Sequence, residues 1–213
     1  MTKIIPILGN TSSGKSFLGK NLENTHKLPY LSFGDIKRKE IIKNTILGLR
    51  LQSDINNNLP INPNDGIELI QKNILKRMSI ILLSGYPISL EEYVPLNSVY
   101  QVILGIYLRI DKITMRKRFF SRAVCPFCDF PGTIGDVCIA HNLKMVKRED
   151  ATEKEFNRRI RLFNNRIVPF ISLITKKSLF ELKVYGPRLS DFEEISTDII
   201  NHITNLETKV TFL

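Results

Sequence analysis

Eight residues near the N-terminus have the types and spacing of a phosphate-binding loop. The pattern G-x-x-x-x-G-K-[ST] is matched by Gly9, Asn10, Thr11, Ser12, Ser13, Gly14, Lys15 and Ser16. An apolar run precedes them and a helical stretch comes after them, so backbone N–H groups of the turn and the positive end of the helix would face a bound phosphate. We expect Lys15 to reach the β- and γ-phosphates of a nucleoside triphosphate and the Ser16 hydroxyl to coordinate Mg²⁺. A plain strand-to-helix turn is the alternative.

All three cysteines of the chain fall within residues 125–138. Two short hooks, C-P-F-C and C-I-A-H, are separated by nine residues and present Cys125, Cys128, Cys138 and His141. An odd number of cysteines is a poor disulfide framework, whereas four such ligands suit tetrahedral zinc and leave no open position. We therefore predict a structural Zn²⁺ site. The alternatives are reduced cysteines in a loop and a zinc ribbon that binds nucleic acid, for which Phe127 and Phe130 are the only evident stacking side chains.

The net charge of +10 is carried largely by two separate segments. One contains Arg109, Lys112, Arg116, Lys117, Arg118 and Arg122, and the other contains Lys144, Lys147, Arg148, Arg158, Arg159 and Arg161. Such charge favours nucleic acid, an anionic membrane surface or a phosphate-rich small substrate as partner. A helix places Arg118 and Arg122 on one face, where guanidinium forks bind phosphate oxygens well. Solvated helix faces are the alternative for most of these residues.

The composition indicates an ordinary globular protein. The chain has 213 residues, of which 43% are hydrophobic and 24% charged, so one domain with a large core is expected. No stretch approaches the roughly 18–20 apolar residues of a membrane span. The N-terminal apolar run is too short for a signal peptide, and we expect a cytoplasmic protein with no membrane partner.

Short apolar runs alternate with helical patterns along the chain. We predict strands at residues 3–8, 30–33, 79–83, 101–110 and 180–185, and helices after Lys15, after Asp35, and at 64–78, 111–122, from 152 and 190–205. This order predicts an α/β fold of the P-loop NTPase type, with three α/β/α layers and a five-stranded parallel sheet.

The helix that begins near residue 152 has the clearest pattern. Its apolar residues recur every three or four positions, at Phe156, Ile160, Phe163, Ile167 and Ile171. We predict that Asp150 caps this helix, with Glu153 completing a capping box, and that Pro169 kinks it.

The order of these features resembles the adenylate kinase family of nucleoside monophosphate (NMP) kinases over nearly the whole chain. Members of that family join a P-loop core to a mobile NMP-binding segment and a mobile lid, which holds four-ligand zinc in many bacterial members. The resemblance implies a core of residues 1–33, 67–122 and 151–213, a helical NMP-binding insertion at 34–66, and a zinc lid at 123–150.

Several motifs carry this resemblance. The run from Ser32 to Arg38, S-F-G-D-I-K-R, looks like the family's S-T-G-D-x-x-R, and S-G-Y-P from Ser84 resembles D-G-F-P-R. The resemblance implies that Arg38 holds the acceptor phosphate and that Asp35 lies near the metal and phosphates. It implies that the NMP site is formed by Phe33, Asp35, Arg38, Gly85, Tyr86, Glu92, Arg148 and Arg159.

The resemblance also assigns the basic residues near the lid. Arg118 and Arg122 match two arginines that bind the triphosphate, and R-E-D from Arg148 resembles the lid motif R-x-D-D. Arg148 and Arg159 would then grip the transferring phosphoryl group. Phosphoryl transfer requires positioning and positive charge rather than a general base, so Lys15, Arg118, Arg122, Arg148 and Arg159 are the expected catalytic residues.

The chain departs from the family pattern at several of these positions. Thr11 and Ser12 replace a proline and a glycine of the loop, Phe33 replaces a threonine near the acceptor base, and Ala151 replaces the second lid aspartate. Ser84 stands where an aspartate orders water on Mg²⁺. Ile88 stands where the family has an arginine that holds the NMP. The absence of that arginine removes a contact worth about 1.5–3 kcal/mol.

Glu92 occupies the position where the family often has a glutamine that reads adenine. A carboxylate only accepts hydrogen bonds, and guanine presents two N–H donors on that edge, so a guanine-like acceptor is conceivable. The alternative is a surface helix residue, and the acceptor base stays open.

The leading hypothesis is a monomeric NMP kinase that converts ATP and an NMP to ADP and an NDP with Mg²⁺. The loss of charge at Ser84 and Ile88 motivates a second hypothesis, a degenerate kinase fold that binds nucleotide with weak or no transfer. A P-loop kinase of another small acceptor and a basic zinc protein that binds nucleic acid are the further alternatives.

Overall fold

The computed structural model describes residues 1–57, 59–74, 79–128, 130–186 and 192–211. Their strands are β1 Lys3–Gly9, β2 Tyr30–Ser32, β3 Ile80–Ser84, β4 Gln101–Val102, β5 Leu104–Leu108, β6 Arg122–Val124, β7 Pro131–Thr133, β8 Val146–Lys147 and β9 Glu181–Tyr185. Their α-helices are α1 Lys15–His26, α2 Phe33–Ile42, α3 Ile46–Asn56, α4 Pro63–Asn73, α5 Leu90–Val99, α6 Lys112–Ser121, α7 Glu153–Leu162, α8 Val168–Lys177 and α9 Phe192–Thr211. A π-helical turn, Phe163–Ile167, joins α7 to α8.

The central sheet has the order β2-β3-β1-β5-β9, and its pairings are parallel. The strand predicted at 101–110 is divided into β4 and β5, which both lie along β1. The N–H of Ile103, between the two segments, donates to the carbonyl of Ile4 at 3.2 Å, so the division leaves one strand position. The prediction of an α/β fold with five parallel strand positions is confirmed.

β1 is central because it is apolar on both faces. Ile4 and Leu8 belong to one buried cluster, whereas Ile5 and Ile7 belong to another on the opposite face. The first cluster includes side chains of α2, α3, α4, α5 and α8, and the second includes side chains of α1 and α9. Helices therefore cover both faces of the sheet, in the three layers that the sequence predicts.

Parallel pairing brings the carboxyl ends of the strands to one edge. β1 ends at Gly9, β2 at Ser32 and β3 at Ser84, and β1 and β3 are in register through the pair Ile7 and Ser84. The phosphate-loop motif and the two motifs that begin at Ser32 and Ser84 consequently start side by side, at the edge where α/β sheets bind ligands.

The predicted helices α1, α2, α4, α6 and α9 are present at the expected places. Two of their predicted ends cannot be compared, because they fall outside the described residues. α4 ends at Asn73, and the predicted end at Met78 and the predicted start of α9 at Ser190 lie outside the described residues. α5 was not predicted, because Pro95 lies inside it and its sequence alternates poorly between apolar and polar faces.

The capping prediction for α7 is wrong. Thr152 is the N-cap, and its Oγ1 accepts a hydrogen bond from the N–H of Glu155 at 3.2 Å. Asp150 lies two residues earlier, and its carboxylate is engaged by arginine side chains instead. The apolar stripe is present, with Phe156 and Ile167 buried, and the helix widens into the π-helical turn just before Pro169.

The strands β6, β7 and β8 form a separate three-stranded antiparallel sheet of order β7-β6-β8. Below it, Met115 and Phe119 of α6 pack with Ala151 and with Phe156 of α7 in a small buried cluster. This small sheet is thus attached to the larger body through α6 and α7, the helices that carry the predicted arginines.

Among the described residues, no helix combines the length and the apolar character that crossing a bilayer requires.

Replacement of Thr152 by alanine tests the observed cap. We expect T152A to lower the free energy of unfolding by about 1 kcal/mol, because the N–H of Glu155 loses its acceptor. T152S keeps a hydroxyl at this position and serves as the control. Urea unfolding followed by circular dichroism measures both variants, and equal stability of T152A and wild type would contradict the assignment.

Candidate active site

The predicted phosphate loop connects the end of β1 to the start of α1. Gly9 and Gly14 adopt φ values of 145° and 98°, which suit glycine. A Cβ at Gly9 would lie 2.6 Å from the carbonyl oxygen of Leu108, so a side chain cannot be accommodated there. Ser12 has a φ of 57° and completes the turn in a left-handed conformation.

Hydrogen bonds within the loop hold this turn. The N–H of Thr11 donates to Asn10 Oδ1 at 2.7 Å, and the N–H of Ser13 donates to the carbonyl of Asn10 at 3.4 Å. The hydroxyl of Ser12 is buried and has no hydrogen-bond partner within the described part of the chain. Buried polar groups are normally paired, so this hydroxyl is available to a ligand of the loop.

Lys15 folds back over the loop that precedes it. Its Nζ donates to the carbonyl of Gly9 at 2.8 Å and to that of Asn10 at 2.5 Å. Burial, followed by the positive charges of Arg159 and Arg122, lowers the pKa of Lys15 to about 7. A nearby anion would therefore stabilise the charged form of the Lys15 side chain.

Asp150 gathers three of the predicted arginines at the base of the small sheet. Its Oδ1 accepts from Arg122 Nη2 at 2.9 Å and from Arg148 Nε at 3.0 Å, and its Oδ2 accepts from Arg159 Nη2 at 2.6 Å. Burial raises the pKa of Asp150, but the bond from Arg148 and the charges of Arg122 and Arg159 outweigh it, so the pKa lies below its ordinary value. One carboxylate thus orients three guanidinium groups.

Two of these arginines also border the phosphate loop. Arg159 Nη1 lies 3.5 Å from Thr11 Oγ1, and Arg122 stacks over the ring of Phe119 with Cζ 4.1 Å from its centroid. Burial, together with the charge of Arg159, lowers the pKa of Arg122 to about 10. The Nε–H of Arg122 is buried and lacks a partner among the residues that the structure describes.

Arg38 and Arg118 approach from other helices. Arg38 forms an ion pair with Asp35 one turn earlier on α2, and burial lowers the pKa of Arg38, with the charges of Arg148 and Arg159 adding to the effect. Arg118 lies in the last turn of α6, and burial likewise lowers the pKa of Arg118. Arg122 follows the helix as the first residue of β6, so the prediction that one helix carries both arginines is wrong. Arginines from α2, α6 and α7 consequently converge on one region.

A single cavity of about 1680 Å³ contains these groups. Its lining includes every residue that we predicted to bind nucleotide: Gly9, Asn10, Thr11, Ser12, Ser13, Gly14, Lys15, Ser16, Phe33, Asp35, Arg38, Gly85, Tyr86, Glu92, Arg118, Arg122, Arg148 and Arg159. Residues far apart in the sequence are thus brought together in one place.

An aromatic pair forms part of the wall of this cavity. The rings of Phe33 and Tyr86 stack with centroids 4.6 Å apart, and both side chains are buried. A Cβ at Gly66 would lie 2.9 Å from the ring of Tyr86, so the glycine allows α4 to approach it. The pair fixes the segment after β2 against the segment after β3.

Ser84 takes part in a hydroxyl cluster beneath the phosphate loop. Its Oγ and the phenol oxygen of Tyr30 are 2.7 Å apart, and the Tyr30 hydroxyl also interacts with Ser16 and Ser32. Burial raises the pKa of Tyr30, although these hydrogen bonds partly oppose the shift. Neutral hydroxyls therefore occupy the place where the resemblance implies a carboxylate.

Glu92 is a buried residue, so the surface alternative for it is wrong. Its side chain is 3% exposed, Oε2 accepts from the N–H of Ile88 at 2.8 Å, and Oε1 accepts from Arg166 Nη2 at 3.1 Å. Burial raises the pKa of Glu92 in spite of these two donors. Glu92 lines the cavity, but the contacts of its carboxylate are made within the protein.

The four predicted zinc ligands lie together in the loops that connect the strands of the small sheet. Their donor atoms are all within 4.8 Å of one another, with Cys128 Sγ 3.8 Å from Cys138 Sγ and Cys138 Sγ 3.5 Å from His141 Nδ1. Tetrahedral zinc with bonds of about 2.0–2.3 Å separates its ligands by about 3.4–3.8 Å, so the cluster fits the ion. Cys125 and Cys138 are buried.

Four further basic residues of the cavity were not predicted as site residues. The lining includes Lys37, Arg158, Arg161 and Arg166, and Arg166 also donates to Ser89 Oγ at 2.9 Å. Lys37 and Arg158 directly precede the predicted site residues Arg38 and Arg159, so their position in the sequence could have indicated that they line the site. The pairing of Arg166 with Glu92 had no such signal, because it spans 74 residues.

Curated adenylate kinases match this chain over most of its length. The enzyme of Clostridium botulinum (strain Eklund 17B / Type B) is 27% identical over 207 residues, 90% of this chain and 96% of its own. That of Pseudothermotoga lettingae is 25% identical over 82% of this chain and 87% of its own, and that of Thermococcus gammatolerans is 26% identical over 83% and 84%. No protein-family model matches. These relatives confirm the resemblance found in the sequence.

Removal of zinc tests the metal site. We expect the purified protein to contain one zinc ion per chain and C138S to contain less. Without the metal the melting temperature should fall by about 4–8 °C, as for a loss of about 2 kcal/mol in a chain of this size. Atomic absorption and calorimetry measure both quantities, and restoration by added zinc after chelation is the control. Full stability of a zinc-free sample would contradict the site.

The pH dependence of stability tests the environment of Lys15. Between pH 7 and 10 the unfolded chain retains a proton on Lys15 that the folded chain has lost, so the free energy of unfolding of the nucleotide-free wild type should rise with pH. K15M lacks this contribution, and its increase should be smaller by more than about 1 kcal/mol. K39M, which changes an exposed lysine of α2, should behave as wild type. Parallel curves for wild type and K15M would exclude the lowered pKa.

Proposed function

We propose that this chain, as a member of the adenylate kinase family, transfers the γ-phosphoryl group of ATP to a nucleoside monophosphate. An oxygen of the NMP phosphate forms a bond to the γ-phosphorus, the bond to the bridging oxygen breaks, and the products are ADP and an NDP. The observation that carries this proposal is the convergence of Lys15 with arginines of three helices on one cavity.

ATP would bind at the phosphate loop. The amides of residues 9–16 and the Lys15 ammonium would face the β- and γ-phosphates, and Arg118 of α6 and Arg122 of β6 line the same cavity. The lowered pKa of Lys15 supports this role, because a polyanion would stabilise its charged form.

The transferring group would lie between Arg148 and Arg159. Both already point at Asp150, which holds them in the cavity before substrate arrives. Charge that spreads over the phosphoryl oxygens in the transition state is stabilised most by donors whose positions are set in advance. The attacking phosphate oxygen does not need to lose a proton to a side chain, so a general base is not required.

The acceptor would occupy the side of the cavity lined by Phe33, Asp35, Arg38, Gly85 and Tyr86. Arg38 is the donor to its phosphate in this proposal. Glu92 contributes by holding Arg166 and the backbone of Ile88 in place. The base of the acceptor is left to experiment.

The ions have distinct roles. Mg²⁺ suits the oxygen donors that line the cavity, the hydroxyl of Ser16 and the carboxylate of Asp35, and when bound with ATP it neutralises phosphate charge. Zinc would be structural, since four protein ligands leave no position for substrate. We propose residues 123–150 as a lid that excludes water, 34–66 as the NMP-binding segment and the remainder as the core.

The remaining assignments rest on the chemistry of the same residues. Arginines and lysines from several helices line one cavity, which favours small phosphate substrates over nucleic acid. Three cysteines at metal-ligand spacing fit a reducing compartment, and we place the protein in the cytoplasm as a monomer.

An NMP panel tests the proposal. Purified protein is mixed with MgATP and each of AMP, GMP, CMP and UMP, and diphosphate product is measured by chromatography. We expect product with at least one acceptor, and we expect R159M to lower kcat by about 100-fold or more, because a preorganised donor to the transition state is lost.

K154M is the matched control, since Lys154 is an exposed residue of α7 outside the cavity lining. Calorimetry that shows ATP binding without product from any acceptor would replace the kinase with a degenerate nucleotide-binding protein. Product from a different small phosphate acceptor alone would retain the transfer and change the substrate.

A further inference from the structure

Lys37 is a half-buried cation of the cavity that the roles described above do not use. It lies on α2, lines the cavity and forms no ion pair with a carboxylate within the described part of the chain. The charged groups that act on it are Arg38 on its own helix, Arg158 and Arg159 on α7, and Glu92 on α5. A lysine surrounded mainly by arginines is unfavourable unless an anion joins them.

The carboxylates nearby are already shared among other cations. Glu92 accepts from Arg166 and from the N–H of Ile88. Glu155 accepts from both Arg158 and Arg159, each at 2.6 Å. Asp35 pairs with Arg38. This part of the cavity thus has an excess of positive charge, which indicates an anionic ligand.

Ile88 is the second observation. It lines the same cavity as a half-buried neutral side chain, at the position where the resemblance implies an arginine that holds the NMP. Its N–H donates to Glu92 Oε2 at 2.8 Å, and both Glu92 and Lys37 line this cavity.

We infer that the Lys37 ammonium binds the phosphate of the nucleoside monophosphate and supplies from α2 the positive charge that is missing at Ile88. This inference rests on the proposed function. It makes Lys37 a binding residue specific to the acceptor, distinct from Lys15 on the ATP side.

A lysine in this role has a consequence that an arginine would not have. Burial, followed by the charges of Arg158, Arg38 and Arg159, lowers the pKa of Lys37 to about 8. The ammonium therefore loses its proton as the pH rises through that value, whereas a guanidinium group stays charged. Binding of the acceptor should weaken in alkaline solution for this reason.

Kinetics of Lys37 variants test the inference. At saturating MgATP, we expect K37M to raise the KM for the preferred NMP by about 10- to 100-fold, as for loss of one hydrogen bond to a charged group. The KM for ATP should change less than about twofold. K39M alters an exposed lysine of α2 outside the cavity lining and should match wild type.

Restoring the charge at the other position provides a second test. In the K37M background, I88R should recover at least about tenfold of the lost acceptor affinity, because a guanidinium group again faces the phosphate. An I88R substitution that leaves the KM of K37M unchanged would count against a shared phosphate site.

The pH profile separates charge from structure. Between pH 7 and 9 the acceptor KM of wild type should rise by about fivefold or more as Lys37 deprotonates, whereas that of K37R should stay nearly constant. Glu92 and the surrounding arginines are present in both proteins, so the difference reports Lys37. This comparison remains available even if K37M folds poorly.

The outcomes distinguish the two proposals. If wild type makes diphosphate but K37M changes only kcat, or raises the KM for ATP equally, the role of Lys37 is overturned and the kinase assignment stands. If wild type makes no product, the proposed function fails, and calorimetry of NMP binding to wild type and K37M then decides whether Lys37 binds an acceptor phosphate.

Discussion

Repulsion among the cations around residues 9–16 is the constraint on which the arrangement of the cavity depends. Lys15 is half-buried beside Arg122 and Arg159, and burial, followed by the charges of these two arginines, lowers the pKa of Lys15. Asp150 makes the assembly tolerable because it binds three guanidinium groups at once. The cavity is thus held in a state that a polyphosphate would stabilise, and positioning for catalysis is achieved at some cost to the stability of the free protein.

The rest of the fold brings these charges together and keeps them apart from solvent. Parallel strands deliver the loops after Gly9, Ser32 and Ser84 to one edge. α6 and α7 carry arginines and also support the small sheet through the cluster of Phe119 and Phe156. Since that sheet has little core of its own, four metal ligands are a physical substitute for buried apolar area.

The sequence predicted the features that depend on short-range spacing. The loop at residues 9–16 and the four metal ligands are local patterns, and the strands were recognisable as continuous apolar runs. It did not predict the features that depend on distant partners, such as the burial of Glu92 against Arg166. The sequence predicted Asp150 as the cap of α7, but Asp150 is bound by Arg122 of β6 and Arg159 of α7, and Thr152 caps the helix instead.

The π-helical turn at Phe163–Ile167 changes the direction in which side chains point around the axis of the long helix that runs from α7 into α8. In an uninterrupted α-helix each residue advances about 100°, so Arg159 and Arg166, seven residues apart, would share a face. Arg166 lies within the widened turn, which changes the direction of its side chain relative to that of Arg159, and Arg159 bonds to Asp150 whereas Arg166 bonds to Glu92. The π-helical turn therefore directs two basic side chains of one continuous helix to different partners in the lining of one cavity.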